Sequence, residues 1–219
     1  MLTPGNLQEA VEFVMEGYDI AEKYRNPVIV AVDGALGKMV EAVSLPDEVK
    51  KHVQNQFEWA LRERSGDEVR QQAVQDIYRG VPYDESARLV YEKTKEMQKN
   101  EQRAEKFMTE DADVILVAYG TMSRVAKEAV LFAREEGIKM GLIRLQTIWP
   151  FPFFAFEGLA PKAFIAAEQS TMPQMAEDVV IAVRGKTPVY SYITGITCPN
   201  TTDIINKAKQ VLAGKAEEV

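Results

Sequence analysis

Three features of the sequence predict an α/β protein built on a parallel sheet. Short apolar runs alternate with helical repeats across residues 108–219, the pattern of strand–helix–strand crossovers. The longest convincing run, Val114-Ile115-Leu116-Val117-Ala118, has the length of a strand and falls far short of the roughly 18 apolar residues that cross a bilayer. A second run, Val28-Ile29-Val30-Ala31-Val32, is apolar at every position, as strands covered on both faces are.

Taken in order, residues 1–46 open with Asn6 as an N-cap and Glu9 three residues later, a capping-box spacing. Leu7, Ala10, Val11, Val14, Tyr18 and Ala21 recur with helical period, and Arg25-Asn26-Pro27 ends the helix. The Val28–Val32 strand follows, punctuated by Asp33-Gly34 and Gly37. One helix and one doubly buried strand cannot cover each other, so this segment is expected to need a sheet from elsewhere. Residues 47–107 are charged, with 13 acidic and 12 basic side chains between Asp47 and Lys106, a balance that solvates helices. Val49, Val53, Phe57, Ala60 and Leu61 form one stripe, and Val69, Ala73 and Ile77 another, while Gly80-Val81-Pro82 breaks the run. Ala87–Met108 reads as a polar helix lying over a surface or between domains.

Residues 108–219 carry the alternation. Asp113–Ala118 is a strand, and Gly120-Thr121 turns it into a helix (Met122, Val125, Ala126, Ala129, Ala133) that Gly137 closes. Gly141–Leu145 is the next strand, followed by the aromatic loop Trp149-Pro150-Phe151-Pro152-Phe153 and a helical turn near Phe156. Ala163–Ala167 is a third strand. Pro173 opens a helix (Ala176, Val179, Val180, Val183) that ends at Gly185. Pro188–Ile193 is a fourth strand, and Thr202 caps the last helix.

Composition narrows the chemistry. The 219 residues are 46% hydrophobic and 27% charged, an ordinary globular balance. With 26 basic against 33 acidic residues and net charge −7, the chain lacks the clustered cations that hold phosphate backbones, which argues against a nucleic-acid partner. Met1–Asn6 has no secretory n-region or h-region, so no membrane partner and a cytoplasmic location are expected. One cysteine, Cys198, and one histidine, His52, exclude an internal disulfide, a cysteine-bound cluster and a two-histidine metal site made by this chain alone. His52 reads as a solvated surface residue and Cys198 as a semi-buried thiol. Asp111, Asp113 and Glu110 read as solvated residues entering a strand. No catalytic residue and no metal ligand set is expected within the chain.

Two turns at the carboxyl ends of strands are candidates for ligand contact, because ligands of open α/β sheets bind at that edge. Gly120-Thr121-Met122-Ser123 reads either as a tight capped turn or as an anion contact on a helix N-terminus. Glu168-Gln169-Ser170-Thr171 places a carboxylate at the corresponding point, as an active-site group or as a cap. The loop 149–153 is apolar enough either to fold under the sheet or to present a patch for a partner.

These residues together resemble the 2-oxoacid:ferredoxin oxidoreductase family, in particular the C-terminal part of its α-type, pyrimidine-side subunit. Thr3-Pro4-Gly5-Asn6-Leu7-Gln8-Glu9 through Ala21–Val30 is similar to the last helix and strand of the family's thiamine-pyrimidine domain, continued by Asp33-Gly34, Leu36-Gly37 and Glu41. Lys99–Val114, Ala118–Thr121, Ser123-Arg124, Gly137–Lys139, Gly141–Arg144 and Trp149–Pro152 are similar to its transketolase C-terminal-like domain. The wording is nearest to the 2-oxoisovalerate type. Leu145-Gln146 stands where relatives carry a proline-containing turn. The family's Glu-x-Asn-x-Gly-Gln element is Glu168–Gln174 here, with Glu168 and Gln174 kept and the Asn and Gly replaced.

The resemblance implies three parts: a pyrimidine-domain remnant at 1–46, a helical connector at 47–107, and a three-layer transketolase C-terminal-like domain at 108–219. It implies a complex in which 2-oxoacid, CoA and oxidised ferredoxin yield acyl-CoA, CO₂ and reduced ferredoxin. Thiamine diphosphate, magnesium and iron–sulfur clusters belong to the assembled complex, since the chain lacks the Gly-Asp-Gly…Asn motif, the activating glutamate and the cluster cysteines. Companion β, γ and ferredoxin-like δ subunits are the implied partners, with a homodimer expected for the isolated chain. Gly120, Thr121, Glu168 and Gln174 are the candidate ligand-edge residues, and Arg144, Trp149, Phe151 and Phe153 the candidate interface residues. The alternative is a stand-alone ligand-binding or regulatory module that keeps the fold without the reaction.

Overall fold

A computed structural model describes residues 1–45 and 82–219. The stripes at Val49–Leu61 and Val69–Ile77, the Gly80-Val81 break and His52 lie outside the described residues. The chain forms two compact units, Met1–Val43 with Met97–Val219, and Ser44–Glu96.

The first unit is built on a five-stranded sheet in the order β1-β3-β2-β4-β5. Its strands are β1 (Ala104–Phe107), β2 (Val114–Ala118), β3 (Met140–Leu145), β4 (Ala163–Glu168) and β5 (Val189–Ile193). β2, β3, β4 and β5 pair in parallel, with Leu116 opposite both Leu142 and Ile165. The expected α/β class holds, with one addition. β1 runs antiparallel along β3, Glu105 facing Arg144, where the sequence reading continues a helix to Met108. The helix stops at Asn100 instead. Residues 104–107 (Ala-Glu-Lys-Phe) are too few and too polar to show a period of two, and only the free edge of β3 makes them a strand.

α3 (Gly120–Glu135) and α5 (Thr201–Leu212) cover one face. There Val114, Leu116, Leu142 and Ile165 meet Ala126, Ala129, Val130, Ile204 and Ala208. α4 (Met175–Val183) and a 3₁₀ turn at Phe153–Phe156 cover the other, against Ile115, Val117, Ile143 and Phe164. Alternate residues of each strand therefore serve opposite layers, which explains the unbroken apolar runs. Asn200, not Thr202, caps α5 by accepting the Asp203 amide at 2.8 Å.

The N-terminal residues join this unit through β3. Leu2 bridges Thr147 on one side and Val30 on the other, and the Thr3 hydroxyl donates to the Leu145 carbonyl. α1 (Leu7–Tyr24) then packs Gly17 over Val28 and Val30, and Arg25 ends it in the left-handed region. Val28–Val32 is not a doubly buried strand. It is extended chain with a single bridge at Val30, and Ile29 and Val32 are 55% and 43% exposed. Among the described residues its backbone partner is the short Leu2 segment, which covers one edge.

In the second unit, the described part of α2 (Tyr83–Asn100) before Met97 is polar. Arg88 pairs with Glu92 at 2.6 Å, and Lys95 lies over the Tyr91 ring.

Candidate functional site

The connection after β2 leads to β3 on one side, and the connection after β4 leads to β5 on the other. The carboxyl ends of β2 and β4 therefore flank the point where the chain reverses direction, the crevice that open α/β sheets offer to ligands. Tyr119, Gly120 and Thr121 stand at the end of β2, and Glu168 stands at the end of β4.

Both candidate turns hold a carboxylate of the chain itself. Asp33 reaches the start of α3, where Oδ2 accepts the Thr121 amide at 2.7 Å and Oδ1 accepts the Thr121 hydroxyl at 2.8 Å. Oδ1 also accepts the amides of Leu36 and Ala35 at 2.9 and 3.0 Å. Burial disfavours the Asp33 charge, but the Leu36 and Thr121 amides, the Thr121 hydroxyl and the Ala35 amide outweigh it, holding the carboxyl below its usual range. Gly120 makes the approach possible. It has φ +56°, and a Cβ there would lie 2.6 Å from Asp33 Oδ2.

Glu168, 1% exposed, receives the Met175 amide on both oxygens at 3.1 and 3.3 Å. It thus caps α4 from outside the helix, and Gln174, exposed at the N-cap position, makes no side-chain cap bond. Burial raises the Glu168 pKa, and the amides of Met175 and Gln174, the Ser170 hydroxyl and the Ala176 amide only partly offset it. Tyr119 is shifted upward by burial and by the charges of Glu168 and Asp33, which places all three acids in one electrostatic neighbourhood. The loops beyond are laced together. Thr194 and Gly195 amides donate to the Glu168 and Ser170 carbonyls, and Gln169 donates to the Thr197 carbonyl.

A raised folded-state pKa stabilises the fold at pH below the ordinary glutamate value of 4.5, and that contribution is lost as pH rises through the folded value. Glu168→Gln is expected to keep an acceptor for the Met175 amide and to flatten this decline between pH 4.5 and neutrality. Glu168→Ala leaves the amide buried without a partner and is expected to cost about 1–2 kcal/mol at pH 7. Urea denaturation of both variants across that pH range checks the signs; a steeper decline for Glu168→Gln would refute them.

The interface candidates separate into two places. Arg144 is 8% exposed and committed within the chain: Nη2 and Nη1 donate to Glu9 Oε1 and Oε2 at 2.6 and 2.8 Å, and Nε donates to Glu105 at 2.9 Å. The Glu9 of the capping box receives the Gly5 amide rather than that of Asn6. Phe151 is buried, stacked on Phe156 with centroids 5.7 Å apart, and Phe156 meets Phe164 at 5.5 Å. Trp149 and Phe153 remain 42% exposed, beside an exposed Phe154. The aromatic loop thus divides, with Phe151 turned inward and Trp149 and Phe153 outward.

The two carboxylates at the switch point already terminate in main-chain amides, and no group of three His, Cys, Asp or Glu side chains with metal-binding geometry occurs among the described residues. Asp33 and Tyr119 escaped the sequence reading as site residues. The signal for Asp33 was its position after an apolar run in Asp33-Gly34-Ala35-Leu36, where an Asp side chain bonds amides two and three residues on. Among the described residues, no helix is long and apolar enough to cross a membrane.

Comparison with known proteins bears on this arrangement. Residues 1–109 match the model "Pyruvate flavodoxin/ferredoxin oxidoreductase, thiamine diP-bdg" and residues 112–203 match "Pyruvate:ferredoxin oxidoreductase core domain II". The chain is 35% identical over its whole length to ketoisovalerate oxidoreductase subunit VorB of Methanothermobacter marburgensis, of which it spans 61%. It is 37% identical over 83% of its length to the VorB of Methanothermobacter thermautotrophicus, of which it spans 51%. The chain thus spans about half to three-fifths of these relatives. A solved 2-oxoglutarate:ferredoxin oxidoreductase from Magnetococcus marinus shares the fold, with TM-score 0.68 and 19% identity over 95% of this chain and 41% of that one. With the two oxidoreductase models together matching residues 1–109 and 112–203, and with VorB relatives 35–37% identical, the chain belongs to the 2-oxoacid:ferredoxin oxidoreductase family.

Proposed function

We propose that this chain is the non-catalytic part of a 2-oxoacid:ferredoxin oxidoreductase subunit of the ketoisovalerate type, acting in the cytoplasm. In the complex, a 2-oxoacid, CoA and oxidised ferredoxin give an acyl-CoA, CO₂ and reduced ferredoxin. The whole-length likeness to a ketoisovalerate oxidoreductase subunit carries this reading. The geometry supports the absence of catalysis from the chain itself, because the acids at the switch point serve as helix caps. Thiamine diphosphate, magnesium and the iron–sulfur clusters are assigned to companion β, γ and ferredoxin-like δ chains.

Under this reading, residues 1–46 close a pyrimidine-type domain whose remaining strands lie outside this sequence. The open edge of Val28–Val32, with Ile29 and Val32 bare and Val14 and Tyr18 of α1 also exposed, is the face they would cover. Residues 47–107 are the connector and 108–219 the second domain, with Trp149 and Phe153 against a companion subunit. The purified chain alone is expected to show no oxoacid-dependent reduction of a viologen dye, and activity is expected when the companion subunits are added. Dye reduction by the chain alone, or no gain on reconstitution, would refute the assignment. Light scattering at low micromolar concentration should show a self-associated species, and a stable monomer would count against the open-face argument.

A further inference from the structure

At the opposite, amino-terminal edge of the sheet lies a cavity that borders the proposed companion contact only through Phe153. It has a volume of about 530 Å³ and sits between the loop after the 3₁₀ turn and the C-terminal end of α4. That volume falls within the range of small-molecule sites, which are mostly apolar with a few placed polar groups. Phe156 and Phe164 form its aromatic wall, Leu159 and Ile181 its aliphatic one, and Arg184 and Lys186 supply two cations. One acid, Glu157, also lines it.

The two cations are not needed by the helix they follow. The usual role for a cation at a helix C-terminus is to answer the last carbonyls. Here backbone amides do this: Arg184 donates to the Ile181 carbonyl, Gly185 to Val180 and Lys186 to Val183. Arg184 holds φ +54°, a left-handed position that glycine usually fills after a helix, yet a long cationic side chain stands there. Neither the Arg184 guanidinium nor the Lys186 ammonium has a side-chain partner among the described residues. Ile181 is likewise left exposed beside them.

We infer that this cavity binds a small organic anion with an aromatic or branched apolar body, its body against Phe156, Leu159 and Ile181 and its carboxylate or equivalent acid group between Arg184 and Lys186. The argument rests on the cavity's lining and on two uncommitted cations, and it stands independently of the oxidoreductase assignment. The same charge pattern discriminates between an acid and its neutral isostere, because an apolar slot alone would take both equally.

4-Phenylbutyrate and 4-phenylbutan-1-ol are suitable probes, titrated into the full chain carrying ¹³C-labelled Ile and Leu methyl groups. The acid is expected to shift the Ile181 and Leu159 methyl signals and to bind at least about tenfold more tightly than the alcohol. In Arg184→Gln/Lys186→Gln that preference is expected to vanish, with circular dichroism unchanged. Equal affinity for acid and alcohol in the unmodified chain, or shifts confined to methyl groups away from the cavity, would overturn the inference without touching the proposed function. The wild-type comparison decides the matter even if the double variant fails to fold.

Discussion

Gly120→Ala is expected to be among the most destabilising single substitutions in this protein, at about 3–4 kcal/mol. A left-handed backbone with a Cβ costs about 1–2 kcal/mol, and the added methyl would stand 2.6 Å from Asp33 Oδ2. Asp33 must then withdraw from Thr121, which forfeits charge-assisted hydrogen bonds worth about 1.5–3 kcal/mol. Because native stability is only about 5–15 kcal/mol, this is a large fraction of it. A double-mutant cycle isolates the cause. In an Asp33→Ala background the clash is gone, so Gly120→Ala should cost only the backbone part, about 1–2 kcal/mol. Urea denaturation of the four proteins measures the coupling, and strictly additive costs would mean that Gly120 and Asp33 act separately. The effect of pH follows the same contact. The depressed Asp33 pKa contributes stability above its ordinary value of 3.8, and that contribution disappears as pH falls through the folded value.

Arg144→Met is expected to cost about 3–5 kcal/mol, the usual effect of removing one member of a buried ion cluster. Its side chain is 10% exposed and Glu9 17%, so the stranded Glu9 carboxylate cannot simply rehydrate. Glu105, at 39% exposure, keeps Lys127 at 2.8 Å and is less affected. Burial opposes the Glu9 charge, and hydrogen bonds from Arg144, the Gly5 amide and Gln146 overcome it, leaving the pKa below 4.5. Glu105 is lowered in the same way by Lys127 and Arg144 against its burial. Both depressions stabilise the fold above pH 4.5 and are lost on acidification through the folded values. Arg144→Met should therefore be less acid-sensitive than the parent while weaker at neutral pH. Adding Glu9→Leu to Arg144→Met should recover much of the loss, since an apolar pair of similar volume avoids the desolvation cost. No recovery in the double variant, with the single variant already mild, would show that the cluster is not a stabilising unit. Arg144 also ties α1 to β3, so its loss should loosen residues 1–25 in hydrogen exchange before the sheet.

The local pattern of the sequence determined most of the sheet and its helices. Val114–Ala118 and Ala163–Ala167 are uninterrupted apolar runs because each is covered on both faces, and that requirement is written in every residue of the run; Gly141–Leu145 is apolar except at Arg144. Asn6 as a cap and Gly137 as a helix end were equally legible, because each acts on amides or carbonyls within a few residues of itself. β1 was not, since a polar strand of four residues is created by the unpaired edge of β3 and leaves no periodic trace. Asp33, Glu9 and Arg144 were beyond sequence reading for a related reason. Asp33 meets Thr121 across 88 positions and Glu9 meets Arg144 across 135. Whether a carboxylate at a turn faces water, a ligand or a helix end depends on which distant element arrives beside it. The sequence placed the turns at Gly120 and Glu168 at the carboxyl ends of strands, where the folded chain has them. Only the folded chain showed that its own carboxylates already accept the amides there, because the first amides of a helix have no partner within it and the fold brings Asp33 and Glu168 beside them.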